Sequence, residues 1–212
     1  SESPDVLAVK FYPAGATTNS TFGVSEFESY YRVFEQMEKL DIVLCVHGES
    51  INPEVDVFDR EARFIEESFE PMTRRFPNLR VVFEHISTSD AVNFVKDQNQ
   101  NVVASVTPQH LAYNRNNLLA GKLRPHKYCA PLLKKEADRS ALVHAVTADS
   151  NEKFFLGTDS APHLIDEKES SCGCAGCFSA PYALAKYAEV FSAESKLENL
   201  EKFGSLNGAK FY

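Results

Sequence analysis

The chain has 212 residues, 43% of them hydrophobic, with a formal net charge of −8 and a pI near 5.3. This is a globular composition with enough apolar surface for a substantial core. The acidic balance argues against nucleic acid or an anionic membrane as a partner. No apolar run approaches the ~18 residues of a membrane span. Ser1–Asp5 lacks the basic and apolar regions of a signal peptide. Five cysteines, three of them within Cys172–Cys177, do not form a disulfide framework. A reducing, cytoplasmic setting follows from that usage. A strand-like run begins at Val6 with no linker before it, and Gly208–Tyr212 ends abruptly. Both ends read as cut from something longer.

In chain order, five β-branched apolar runs are expected to be buried strands: Val6–Phe11, Ile42–Val46, Leu79–Phe83, Val102–Val106 and Phe154–Leu156. A sixth is expected near His126–Ala130. Continuous apolar runs of this length suit parallel strands covered on both faces. Amphipathic segments separate them. Ser25 to Leu40 opens with the capping-box pattern Ser25-x-x-Glu28 and carries Phe27, Tyr30, Tyr31, Phe34 and Met37 at helical spacing. Arg60 to Arg75 is a helix that Pro71 should kink or end. Ser87-x-x-Asp90 opens a helix running through Val95, and Lys134–Ala148 and Tyr182–Ala193 complete the set. The β-α alternation implies a parallel sheet with right-handed crossovers. No glycine-rich phosphate loop follows the first strand, which favours an α/β (β/α)8 TIM barrel over a doubly wound sheet. Five or six βα units are present, against eight in a whole barrel. Residues 1–212 are therefore expected to form one partial barrel domain.

Lys10, His47, His85 and Asp159 each fall at or near the carboxyl end of an expected strand, spaced 37, 38 and 74 residues apart. In a barrel that end carries the chemistry. Two histidines and an aspartate form a nitrogen and oxygen ligand set suited to Zn2+ or a similar divalent ion. A lysine ammonium cannot ligate, but a lysine that has lost its proton can react with CO2. The resulting carbamate has two oxygens that can bridge paired metals, which activate water and polarise a carbonyl. Taken singly, each residue has a plainer reading. Lys10 could be a surface lysine, His47 a hydrogen-bonded core histidine, and Asp159 a helix N-cap. His110, His126 and His144 read as structural. The thiols of Cys172, Cys174 and Cys177 lack a nearby fourth ligand for a structural metal, so a glycine-rich loop approaching substrate is the better reading. Asp166–Glu169 reads as a solvated face.

Several segments together carry a family resemblance: Lys10-Phe11-Tyr12-Pro13-Ala14-Gly15-Ala16-Thr17-Thr18-Asn19-Ser20, Val46-His47-Gly48-Glu49, Phe83-Glu84-His85, Thr107–Leu111, Arg124–Cys129, Leu156–His163 and Lys168–Cys177. In this order they resemble the amidohydrolase superfamily, and within it the single-domain bacterial dihydroorotases. The resemblance implies reversible conversion of N-carbamoyl-L-aspartate to dihydroorotate in pyrimidine biosynthesis, with two Zn2+ bridged by Lys10 as N6-carboxylysine. His47 and His85 would bind the more exposed metal. Asp159 would bind the more buried one and act as general base. His163 would meet the substrate carboxylate, with His47 also at the substrate. Backbone at Ala130 and Ala175 would bind the substrate ring, and Thr17 and Thr18 would lie on a closing loop. The family commonly has leucine where Ala130 stands, which matters little for a backbone contact. A homodimer is also implied. The family's His-x-His pair, and the arginine and asparagine that hold the substrate carboxylate, are absent from these 212 residues, as is its C-terminal stretch. Two other readings stand beside this one: a non-catalytic homologue with a structural role, and another cyclic-amide hydrolase such as a hydantoinase or allantoinase.

Overall fold

The computed structural model describes residues 6–16, 20–24 and 26–212. Thr17, Thr18 and Ser25, and with Ser25 the expected capping box, lie outside the described residues. Five strands, β1 (Ala8–Phe11), β2 (Val43–Val46), β3 (Val81–Phe83), β4 (Val102–Val106) and β5 (Phe154–Leu156), form one sheet in chain order. Every neighbouring pair is parallel, with Lys10 level with Cys45 and Cys45 level with Val82. Sequential parallel order with helical crossovers is part of a barrel wall, as the β-α alternation predicts.

Strand alternation divides the apolar runs between two buried layers. Leu44, Val46, Val81, Phe83, Val102, Ala104, Val106 and Phe154 face outward into the main core beneath the helices. Val43, Cys45, Val82, Val103 and Phe155 face the inner side, with Ala8 and Phe211 packed on them. Both faces are covered, so the strands read as continuous rather than alternating apolar runs.

The helices in chain order are α1 (Tyr31–Lys39), α2 (Arg60–Phe64), α3 (Glu70–Arg75), α4 (Ser89–Asp97), α5 (Pro108–Ala112), α6 (Arg115–Leu119), α7 (Glu136–Thr147), α8 (Ile165–Lys168), α9 (Ala183–Ala193) and α10 (Asn207–Phe211). Phe27–Tyr30 forms a 3-10 turn before α1. Phe27, Phe34 and Met37 are buried as the helical spacing predicts, whereas Tyr30 stays 40% exposed. Phe11, Phe27, Phe34 and Phe64 meet largely edge to face, with ring centroids 4.7–5.9 Å apart.

Three expectations are corrected. Pro71 does not end its helix. A π-helical turn, Ile65–Phe69, joins α2 to α3, and the Glu70 N–H donates to the Ile65 carbonyl five residues back. The wider turn makes room where a proline ring would meet the carbonyl four residues before it. The expected strand near His126–Ala130 is a 3-10 turn, Pro125–Lys127, followed by irregular chain and a cis Ala130–Pro131 bond. Prolines on both sides remove the donors a ladder needs. The cap of α4 is Thr88, whose hydroxyl accepts from Ala91 N, rather than Ser87. Both hydroxyls are also committed to Glu61.

Candidate active site

The expected ligands gather where the inner face of the sheet ends. His47 follows β2 directly and is 1% exposed. Its backbone N–H donates to the Phe11 carbonyl at 2.9 Å, which ties it to the end of β1. Gly48 is required by packing: a Cβ there would sit 2.5 Å from the Phe83 ring and 2.8 Å from Phe64. His85 follows β3 with φ 42°, and Asp159 follows β5 with the same φ. Neither is glycine, so each left-handed residue costs on the order of 1 kcal/mol or more and persists because its surroundings fix it. For His85 that hold is visible. Its N–H donates to Ser105 Oγ at 2.9 Å, and Ser105 fits because Gly157 beside it has no Cβ, which would lie 2.7 Å from the serine Cβ.

His47 Nδ1 and His85 Nε2 approach to 3.1 Å. On its other side, His47 Nε2 lies 2.9 Å from Glu49 Oε2, and both residues are buried. A proton on Nε2 donated to that carboxylate leaves the Nδ1 lone pair facing His85. His85 is held neutral, well below the ordinary histidine value, by burial first and also by the charge of Lys10. Its Nδ1 is buried without a hydrogen-bond partner. Two nitrogens bound at ~2.0–2.1 Å to a tetrahedral ion lie roughly 3.3 Å apart. The observed pair is close to that separation, and a divalent cation is the group that would use both lone pairs.

Lys10 sits on β1 and its ammonium contacts the Glu84 carboxylate. Burial lowers the Lys10 pKa, opposed by the charge of Asp159. Burial raises that of Asp159, opposed by Lys10 and then His47. Both side chains keep an open side to solvent. Asp159 is within electrostatic range of Lys10 and His47 but does not join the two histidines in a tight cluster. Among the described residues, the three-residue group with donor atoms within 4.8 Å of one another is His163, Glu167 and Cys174. The two histidines thus form a pair from which Asp159 stands apart.

Backbone contacts link the segments of the residues expected at the substrate. His163 Nε2 lies 3.1 Å from the Ala175 carbonyl. Ser160 and Cys177 form a parallel bridge, and Ala161 N–H donates to Cys177 O at 2.9 Å. Tyr128, two residues before Ala130, accepts the Gly176 N–H at 2.9 Å. The cysteines do not converge: Cys172 and Cys174 are 3.4 Å apart at Sγ, whereas Cys177 is buried with Cys129, Leu118 and Leu133. His110 is buried with both nitrogens used, on Thr107 Oγ1 at 2.7 Å and on the Pro131 carbonyl at 2.9 Å. One expectation fails here. Asp166, Glu167 and Glu169 are exposed, but Lys168 is 3% exposed.

Sequence reasoning assigned no role to Glu49 or Glu61. Glu49 had a signal, its place two residues after a ligand histidine. Glu61 is fully buried and accepts from the backbone N–H and hydroxyl of both Ser87 and Thr88, which fixes the loop after His85. Nothing local to its helix marks it.

No protein-family model matches the chain. Among curated proteins, the dihydroorotase of Aromatoleum aromaticum is 58% identical over 207 residues, covering 98% of this chain and 60% of the relative. That of Acinetobacter baumannii is 53% identical over 211 residues, covering 100% and 61%. The chain thus spans about three-fifths of the curated relatives it matches. The crystal structure of Campylobacter jejuni dihydroorotase superposes with a TM-score of 0.87 at 40% identity, covering 97% of this chain and 58% of the other. Saccharomyces cerevisiae dihydroorotase in complex with 5-fluoroorotic acid gives 0.88 at 34%, covering 97% and 60%. An L-hydantoinase from Arthrobacter aurescens gives 0.76 at 18% identity, covering 95% and 50%, which shows a shared fold alone. Identity above one half along nearly the whole chain, joined to the shared barrel wall, makes this chain a homologue of the dihydroorotases over the three-fifths of their length that it spans, and those proteins are metal-dependent amidohydrolases in general.

Proposed function

We propose that the protein carrying this chain interconverts N-carbamoyl-L-aspartate and dihydroorotate, and that residues 1–212 form one partial-barrel domain supplying most of its active site. The observation that carries this is the convergence of His47 Nδ1 and His85 Nε2, backed by Glu49, at the strand ends that also present Lys10 and Asp159. His47, His85, Asp159 and a carboxylated Lys10 would hold Zn2+. Bound there, zinc would supply an activated water and polarise the ring amide carbonyl.

The chain's own residues account for the remaining tasks. Burial lowers the Lys10 pKa, and a Lys10 amine that has given up its proton would add to CO2 with loss of one further proton to give the N6-carboxylate. Asp159, raised by burial, is poised to take a proton at its carboxylate and return it to the leaving ring nitrogen. His163 and the backbone at Ala130 and Ala175 orient the substrate carboxylate and ring, and the same reading gives Thr17 and Thr18, outside the described residues, the task of closing over them. The substrate is a small molecule, and the protein acts as a cytoplasmic homodimer. No helix among the described residues is long and apolar enough to cross a membrane. Asp159→Asn should lower dihydroorotate hydrolysis at least a thousandfold while leaving metal bound at the histidine pair. Near-parent turnover in that variant would overturn the assignment.

A further inference from the structure

Lys168 lies in the acidic run Asp166–Glu169, yet it turns away from its neighbours and is 3% exposed. Its partners are carbonyls. Nζ donates to Cys174 O at 2.7 Å, Gly176 O at 2.9 Å and Tyr128 O at 3.1 Å, which uses all three of its hydrogens. A buried ammonium is costly unless its donors are satisfied, so this convergence is a fixed point of the structure.

The segment it holds would not keep its shape unaided. Gly173 has φ 68°, Cys174 φ 28° and Gly176 φ 153°, three left-handed residues within four positions. That shape places the Ala175 carbonyl on His163 Nε2. It also brings Gly176 so close that a Cβ would lie 2.9 Å from the same ring nitrogen. The third carbonyl belongs to Tyr128, which also accepts from Gly176 N–H. One ammonium therefore ties segment 174–176 to segment 128–130.

We propose that Lys168 is a positioning residue for substrate: its three hydrogen bonds lock the backbone at Ala175 against the backbone at Ala130 and so set His163 for the substrate carboxylate. This rests on the dihydroorotase reading above. Lys168 touches no reacting atom, so its loss acts on binding rather than on the chemical step.

The test is Lys168→Met and Lys168→Arg in the protein as its gene encodes it, measuring KM and kcat for dihydroorotate, bound metal, and hydrogen exchange of the Gly176 amide. Lys168→Met should raise KM at least tenfold, change kcat less than threefold, leave metal content unchanged and speed Gly176 exchange. Lys168→Arg should raise KM at least fivefold, because a planar guanidinium cannot aim three hydrogens from one atom. A folded Lys168→Met protein with KM within twofold of the parent overturns the proposal, whatever its melting temperature. If the methionine variant does not fold, a parent-like KM in Lys168→Arg does the same. A parent protein that fails to turn over dihydroorotate overturns the activity reading and this proposal together. An active parent with an unchanged variant overturns this proposal alone.

Discussion

Glu49 offers the sharpest test of the histidine pair. Its carboxylate is buried and lies 2.9 Å from His47 Nε2. Burial works against its charged form. The His47 hydrogen bond, with the charges of Lys134 and Arg60, outweighs burial and holds its pKa below the ordinary value. Glu49 is thus an ionised acceptor that orients the imidazole with Nδ1 toward His85. Removing such a partner of a metal-binding histidine typically costs 10–100-fold in metal affinity, or about 1.4–2.7 kcal/mol. Glu49→Leu should fall toward the hundredfold end, since it also leaves the buried Nε2–H without an acceptor. Glu49→Gln keeps a neutral acceptor and should lose roughly tenfold. Zinc affinity is measured by competition with a chromophoric chelator at pH 7.5, with circular dichroism to confirm folding. Zinc affinity of folded Glu49→Leu within twofold of the parent would refute the argument that Glu49 sets the ligand geometry.

Other consequences are measurable as stability. Burial first, and then the charge of Lys134, pull the pKa of His110 down to about 4. The unfolded chain, with histidine near 6.5, binds more protons between those values. Stability is therefore full above pH ~6.5 and falls as pH drops toward 4, by about 2 kcal/mol between pH 7.5 and 5 from this group alone. Urea unfolding at the two pH values checks it, and no decline would refute a buried neutral His110. Glu61→Leu strands the N–H and hydroxyl groups of Ser87 and Thr88 that now donate to the carboxylate, and should cost about 3 kcal/mol or more. A loss below 1 kcal/mol in the same assay would show that those donors find other partners. Gly48→Ala drives a Cβ into the Phe83 and Phe64 rings and should cost about 1–3 kcal/mol. A fully stable Gly48→Ala protein would show that the rings yield.

The sequence by itself determined the strands and the places just beyond them. Val43–Val46 is apolar at every position, and Val102–Val106 at every position but Ser105, because both faces of a parallel strand are buried. Lys10, His47, His85 and Asp159 could be picked out because they interrupt or follow those runs. Local pattern could not show which way a side chain turns once it leaves the regular element. Lys168 sits in an acidic run that reads as solvated, and its inward turn depends on three carbonyls brought from residues 128, 174 and 176. Cys177 parts from Cys172 and Cys174 because Cys129, Leu118 and Leu133 offer it a buried site. The ring nitrogen that His47 presents to His85 is set by Glu49, and the loop beneath His85 by Glu61 from a distant helix. Apart from Glu49, Cys174 and Gly176, the partners that make those choices lie far away in the chain. Tertiary structure decided them, because only packing brings the partners within hydrogen-bonding distance.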